Sequence, residues 1–224
     1  LAYFLAEGHL GNGDVLFSNK NDEIFRDFSD SIKQFDTNLK VKKYSREGCY
    51  SVSKSRRKVD KQKMRLIFDE KRNFSKGTYA PQKKSSICEW FIDIKIYGKL
   101  SKKKFIPYMI FKLPKEQLSL FLNRLFSCDG SIYKSRKGNN YYWEISYSSS
   151  SEKLIHQVQH LLLRFGILSK LRKKKTKLKR KIFDSFELVI RTENIIKFIE
   201  EIGFFGEKRK KQENCLEEIK YIKR

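Results

Sequence analysis

No stretch of the 224-residue chain approaches the roughly 20 consecutive apolar residues that a membrane span requires, so the reading is a soluble protein. No secretory leader is visible at Leu1, which points to an intracellular protein of unassigned compartment. The four cysteines, Cys49, Cys88, Cys128 and Cys215, are far apart and lack metal-ligand spacing, so they read as reduced thiols. Histidine is equally scarce. His156 and His160 have the i, i+4 spacing of a helical metal pair, but no acid completes a zinc motif. Acidic residues are also in short supply, 26 Asp and Glu against 50 Lys and Arg, which leaves a net charge of +24.

That charge is spread along the chain in basic runs at Lys40–Arg46, Lys54–Lys63, Lys102–Lys104, Lys170–Lys181 and Lys208–Lys211. One such run is usually a solvated face. Several, interleaved with aromatic and β-rich sequence, favour a large polyanion, most simply nucleic acid. With 39% hydrophobic and 14% aromatic residues, the chain has the material for a sizeable core.

The sequence repeats itself. WFIDIKIYGK (Trp90–Lys99) lies over FIEEIGFFGE (Phe198–Glu207) without a gap. SNKNDEIFRDFSDSIKQF (Ser18–Phe35) lies over SSSSEKLIHQVQHLLLRF (Ser148–Phe165), with Ile24, Phe28, Ile32 and Phe35 falling on Leu154, Val158, Leu162 and Phe165. Those positions carry the stripe of an amphipathic helix. Each copy reads as a helix ending in acid-glycine, then a hairpin at Leu10–Phe17 or Ser131–Tyr147, then the amphipathic helix beginning near Asp22 or Ser151. Strands at Leu39–Tyr44 and Tyr50–Lys54, or Leu168–Lys175 and Phe183–Arg191, precede a closing helix that holds WFIDI or FIEEI. The expected architecture is α+β in two similar halves, 1–113 and 114–224. Residues from about 56 to 86 have no counterpart in the second half and read as an inserted basic loop.

The acid-glycine pairs raise a question of cost. In LAYFLAEG (Leu1–Gly8) and FLNRLFSCDG (Phe121–Gly130), Glu7 and Asp129 fall at helix C-termini. Unpaired carbonyls already concentrate negative charge there. If the halves pack about a pseudo-twofold axis with these helices side by side, the two carboxylates meet. With nearby main-chain carbonyls, those of Ala6 and Cys128, they form a hard oxygen cluster suited to Mg2+.

These two motifs resemble those of the two-motif LAGLIDADG homing endonucleases, especially the endonuclease domains of inteins. KFIP (Lys104–Pro107) resembles the Lys-x-Ile-Pro element that precedes the second motif, and WFIDIKIYGKLSKKKFIP and HLLLRFGI read like intein blocks. The resemblance implies a duplicated αββαββα fold whose two antiparallel sheets form a saddle on duplex DNA. It implies a monomeric, site-specific, Mg2+-dependent double-strand endonuclease leaving short 3′ overhangs, with Ca2+ supporting binding without cleavage. Glu7 and Asp129 would hold the metals and Lys104 would be an active-site lysine. For a second lysine, Lys211 is the nearest candidate, and Gln212 is the gapless match to Lys104. Candidate DNA contacts are Lys40, Lys42, Lys43, Arg46, Lys134, Arg136, Lys170, Arg172 and Lys174, of which strand alternation lets about half face the DNA. The alternatives on the same fold are an RNA maturase and a catalytically inactive nucleic-acid-binding protein. In this motif Arg124 stands opposite Ala2, a bulky residue at a level where close helix crossing favours small ones.

Overall fold

In the computed structural model, residues 1–10, 15–44, 46–54, 84–178, 181–191 and 193–222 are described. The order begins with α1 (Ala2–Glu7), β1 (Gly8–His9), β2 (Val15–Ser18), α2 (Asp22–Phe35), β3 (Leu39–Lys43), β4 (Cys49–Lys54) and α3 (Ser86–Asp93). A 3-10 turn at Ser101–Lys103 and a one-turn helix, α4 (Tyr108–Phe111), lead into α5 (Lys115–Asp129). Then come β5 (Gly130–Lys137), β6 (Asn140–Ser149), α6 (Glu152–Leu163), β7 (Lys170–Leu178), β8 (Lys181–Arg191), α7 (Glu193–Glu201) and α8 (Lys208–Ile222). Most of the expected insertion, residues 56–83, lies outside the described residues, and Ser86 already belongs to α3.

The two halves share one topology. Each has a four-stranded antiparallel sheet, with strand orders β1-β2-β4-β3 and β5-β6-β8-β7. Their amphipathic helices start alike, too: Asn21 accepts from the Ile24 amide and Ser151 from the Leu154 amide, so the two N-caps occupy matching places. From these caps α2 buries Ile24, Phe28 and Ile32, and α6 buries Leu154, Ile155, Val158, Leu161 and Leu162.

Two cores result, one under each sheet, and α1 belongs to both. Tyr3 and Phe4 pack in the first core, against Phe17, Phe28 and Phe91. Ala2 and Leu5 pack in the second, with Leu122, Leu125 and Phe126 of α5. Helices α1 and α5 are therefore in contact between the sheets. Arg124 does not force them apart, because its side chain leaves the helix interface for α2. There it makes a two-point pair with Asp27 (Nε–Oδ2 2.9 Å, Nη2–Oδ1 2.7 Å), which also accepts from the Tyr3 hydroxyl. The guanidinium covers the Phe205 ring at 4.2 Å.

The connector packs on the second half. Ile106 and Ile110 enter its core, and Gln157 brackets the Ile106 backbone with both amide atoms. Helix α8 was not expected from the basic run that opens it. It docks through Cys215, Leu216 and Ile219.

Backbone geometry confirms the gapless repeat at the closing helices. Lys95 and Gly203 both take a left-handed conformation (φ 62° and 64°), as do Gly98 and Gly206 (both 73°). A Cβ at Gly203 would also lie 3.1 Å from the Ile199 carbonyl oxygen. Gly203→Ala should therefore lower stability by about 1–2 kcal/mol, the cost of a side chain in this region. Lys95→Gly should stay within about 0.5 kcal/mol of the parent, since relief of strain and loss of chain stiffness oppose each other. Denaturant midpoints of both variants check this.

Candidate active site and nucleic-acid interface

Each sheet begins directly from a helix that ends in an acid: Glu7 closes α1 before β1, and Asp129 closes α5 before β5. The following glycines are required by space. Both have ordinary extended backbone (φ −81° at Gly8, −80° at Gly130). A Cβ on either would lie 2.5 Å from the carbonyl oxygen of Phe4 or Phe126. Glycine lets the chain turn from helix to strand so tightly that each carboxylate stays at the helix tip.

The structure brings Glu7 and Asp129 together. Burial, and next the charge of Glu7, push the Asp129 carboxyl up to about 7. Burial also raises Glu7, against the opposing effects of an Asn19 hydrogen bond and the Lys208 charge. Asn19 Nδ2 donates to Glu7 Oε2 at 2.5 Å, while its own Oδ1 accepts from the Asn21 amide. Ser149 occupies the equivalent turn in the second half and accepts from the Ser151 amide. Asp129 instead lies near the fully buried Tyr147, whose hydroxyl has no hydrogen-bond partner among the described residues.

Lys104, the lysine that the resemblance implies for the active site, lies beside the acids and is 6% exposed. Its Nζ donates among the carbonyls of Phe4 (3.1 Å), Leu5 (3.0 Å), Ala6 (3.1 Å) and Gly8 (2.8 Å). It thus satisfies the carbonyl end of α1. Burial lowers it to about 8, although Asp129 and Glu7 both favour its charged form.

Lys208, which the sequence does not single out, makes the equivalent contact in the second half. Its Nζ reaches the carbonyls of Phe126 (3.3 Å), Ser127 (2.6 Å) and Cys128 (2.8 Å), the same cap on α5. Burial pulls its pKa down as well. Lys211 is exposed, and Gln212 accepts from the Phe204 amide. Gapless alignment fails here because the connector differs in length. Lys104 comes six residues after Gly98, across a 3-10 turn, whereas Lys208 comes two after Gly206 and opens α8 directly.

The Ala6 and Cys128 carbonyls, expected as metal ligands, thus each accept from a lysine; a carbonyl oxygen has a second lone pair for a cation. Among the described residues no group of three or more His, Cys, Asp or Glu side chains is placed to hold a metal. A cation here would rely on two carboxylates and main-chain oxygens. That hard donor set, holding a repulsive acid pair, fits Mg2+ or Ca2+.

Strand parity sorts the expected DNA contacts. Leu39 and Val41 of β3 face the core, so Lys40 and Lys42 are on the open face and Lys43 is not. Arg46 is exposed in the following turn. Leu171 of β7 packs inward, which leaves Lys170, Arg172 and Lys174 on the open face. Lys134 and Arg136 share the inward parity of Ile132. Lys134 pairs with Glu218 of α8 at 2.8 Å and covers Trp143, and Arg136 Nε donates to the Gly138 carbonyl. These two cations serve the helix side of the sheet and do not join the others.

The raised Asp129 pKa has a signed consequence for the metal-free protein. A carboxyl bound to its proton more tightly when folded contributes stability fully below its unfolded pKa, near 4. That contribution is lost as pH rises through about 7. In EDTA, urea unfolding should show the parent losing stability relative to Asp129→Asn between about pH 4 and pH 7. Parallel profiles over that range would show that Asp129 is not so perturbed.

Residues 116–203 match the family model of the LAGLIDADG-like domain. The replicative DNA helicase DnaB of Rhodothermus marinus is 33% identical over 131 residues, 58% of this chain and 14% of that protein. The replication factor C small subunit of Methanocaldococcus jannaschii is 26% identical over 215 residues, 95% of this chain and 10% of that protein. The chain thus spans about a tenth of the length of these relatives. In three dimensions it is similar to the LAGLIDADG homing endonuclease I-GzeII, solved in complex with its DNA target. The TM-score is 0.51 at 14% identity, covering 99% of this chain and 89% of that one. The second half thus matches a LAGLIDADG-like domain, and the duplicated fold along the chain is the fold of that solved LAGLIDADG homing endonuclease.

Proposed function

We propose that the protein is a site-specific endonuclease that hydrolyses both strands of duplex DNA with the help of divalent metal, leaving short 3′ overhangs. The observation that carries this reading is the junction itself. Two half-buried carboxylates and two lysines meet where two sheets with basic open faces begin. A binding protein would gain nothing from two repelling acids at the point where a polyanion comes nearest.

Glu7 and Asp129 would hold the metal, with the Ala6 and Cys128 carbonyls able to assist. When bound, Mg2+ supplies Lewis acidity to the scissile phosphate and helps ionise the attacking water. The chain's own residues do the rest. Asn19 fixes the longer Glu7 arm, so an acid with an extra methylene reaches a defined place. Lys104 Nζ, lowered to about 8, can give or take a proton near neutral pH, or remain charged opposite the developing negative charge. Lys208 repeats this position toward the other strand. The open-face lysines and arginines hold the phosphates and bring the DNA over the junction.

Similar segments occur within a replicative DNA helicase and a replication factor C small subunit, making up only a tenth or so of each. Such recurrence inside proteins of different kinds is what a mobile insertion would give. It supports the resemblance to intein endonucleases.

Incubation with a random-sequence DNA library and Mg2+, followed by sequencing of new ends, tests the reading. Recurrent double-strand ends at one site are expected. Asp129→Asn and Glu7→Gln should each abolish double-strand cleavage while leaving DNA binding in Ca2+ intact; either variant cutting both strands near the parent rate would contradict the assignment. Lys104→Ala and Lys208→Ala should lower the cleavage rate far more than affinity. Both should also lower stability by about 1–3 kcal/mol, because carbonyls lose their partner. Affinity should fall steeply with salt, with a log–log slope near −7 for roughly 8 phosphate contacts. A slope of about −2 would remove the two-sheet footprint.

A further inference from the structure

The two open sheet faces differ in one respect that their shared topology does not require. Among the described residues, the first sheet's open face holds Leu16, Ser18, Lys40, Lys42 and small residues of β4, with no carboxylate. The second sheet's holds two, Glu144 on β6 and Glu187 on β8, at 3% and 4% exposure. Both strands are interior in the order β5-β6-β8-β7, so these acids form part of the floor of the face. A buried acid beneath a surface that receives a polyanion lowers the positive potential and does nothing for general affinity. Its use has to be local.

At Glu144 that use is visible. One carboxylate oxygen pairs with Arg191 Nη2, and the other accepts from the Tyr133 hydroxyl at 3.2 Å. Tyr133, Glu144 and Arg191 are cross-strand neighbours on β5, β6 and β8. Both oxygens are engaged and the carboxylate is sunk, so it is a fixed anchor. The Arg191 side chain stays 45% exposed above it. An unrestrained surface arginine gives up substantial rotamer freedom when it binds, whereas one already oriented gives up less. A guanidinium carries several donors in a planar fork and can serve a carboxylate and a base edge at once. An interior strand faces the groove floor more than the phosphate rails, and the fork matches O6 and N7 of guanine in the major groove.

We propose that Arg191, oriented by Glu144, reads a single guanine in the half of the target that lies under the second sheet. This rests on the endonuclease reading above, with Glu144 as a positioning residue that does not itself touch the DNA. Sequence discrimination is then stronger under the second sheet than under the first, whose open-face cations have no acid to orient them.

The test is selection from a library randomised around the recovered site, by cleavage in Mg2+ and separately by binding in Ca2+. The parent should prefer guanine at one position under the second sheet by roughly ten- to a hundredfold. Arg191→Lys keeps the charge but loses the fork. It should erase that preference while leaving the other positions unchanged and total affinity within a few-fold. Glu144→Gln, which can still bond Tyr133, should relax the same position partially. If Arg191→Lys keeps the guanine preference, or if both variants weaken all sequences alike, Arg191 is a phosphate contact and the inference is overturned. If the parent enriches no sequence in either selection, the endonuclease reading fails and this inference falls with it. Enrichment in Ca2+ without cleavage in Mg2+ would remove catalysis alone, and the guanine preference would still be decided by the binding arm.

Discussion

Two carboxylates held together at the ends of two packed helices are the constraint around which this molecule is arranged. Each is at the negative end of a helix and partly withdrawn from water, and burial together with the charge of Glu7 raises the Asp129 carboxyl. Much of the nearby structure answers that problem. Two lysines reach in from separate connectors to cap the helix carbonyls, Asn19 steadies Glu7, and glycines turn the chain directly into the sheets. Capping the carbonyls with ammonium groups offsets charge at the tips without neutralising the acids themselves, which stay available to a cation.

The duplication is faithful where geometry matters and loose elsewhere. N-caps, sheet order and the left-handed positions of the closing helices coincide between halves. Lys95 keeps a conformation for which Gly203 is better suited, so the backbone has been preserved while the residue has changed. The lysines show the converse. They perform one task from connectors of unequal length, and one begins a helix while the other follows a 3-10 turn.

This explains how much could be read in advance. The repeat, the helix stripes and the Ser151 cap are legible because periodicity and local chemistry specify them, whereas the first amphipathic helix is capped by Asn21, one residue before the Asp22 that the sequence points to. Lys104 came from the resemblance and is in place. Lys208 escaped because its role depends on where a shortened connector delivers it, which no alignment of residues reveals. Helix α8 escaped because Lys208–Lys211 hides a short apolar stripe at Cys215, Leu216 and Ile219. Lys134 and Arg136 share the inward parity of Ile132, which strand alternation assigns to the helix side of the sheet. Asn19 and the buried Glu144 depend on contacts between distant strands and turns, and the sequence carries no local sign of either.

Helix α1 has a consequence for the way the protein holds together. At six residues it is too short to persist in water by itself. Its four buried residues are divided, Tyr3 and Phe4 with one core, Ala2 and Leu5 with the other. Arg124 and Phe205 reach back from the second half onto the first. Loss of either core would release the helix that completes its neighbour. Each half is therefore completed by a helix it shares with the other, an arrangement that couples the unfolding of the two.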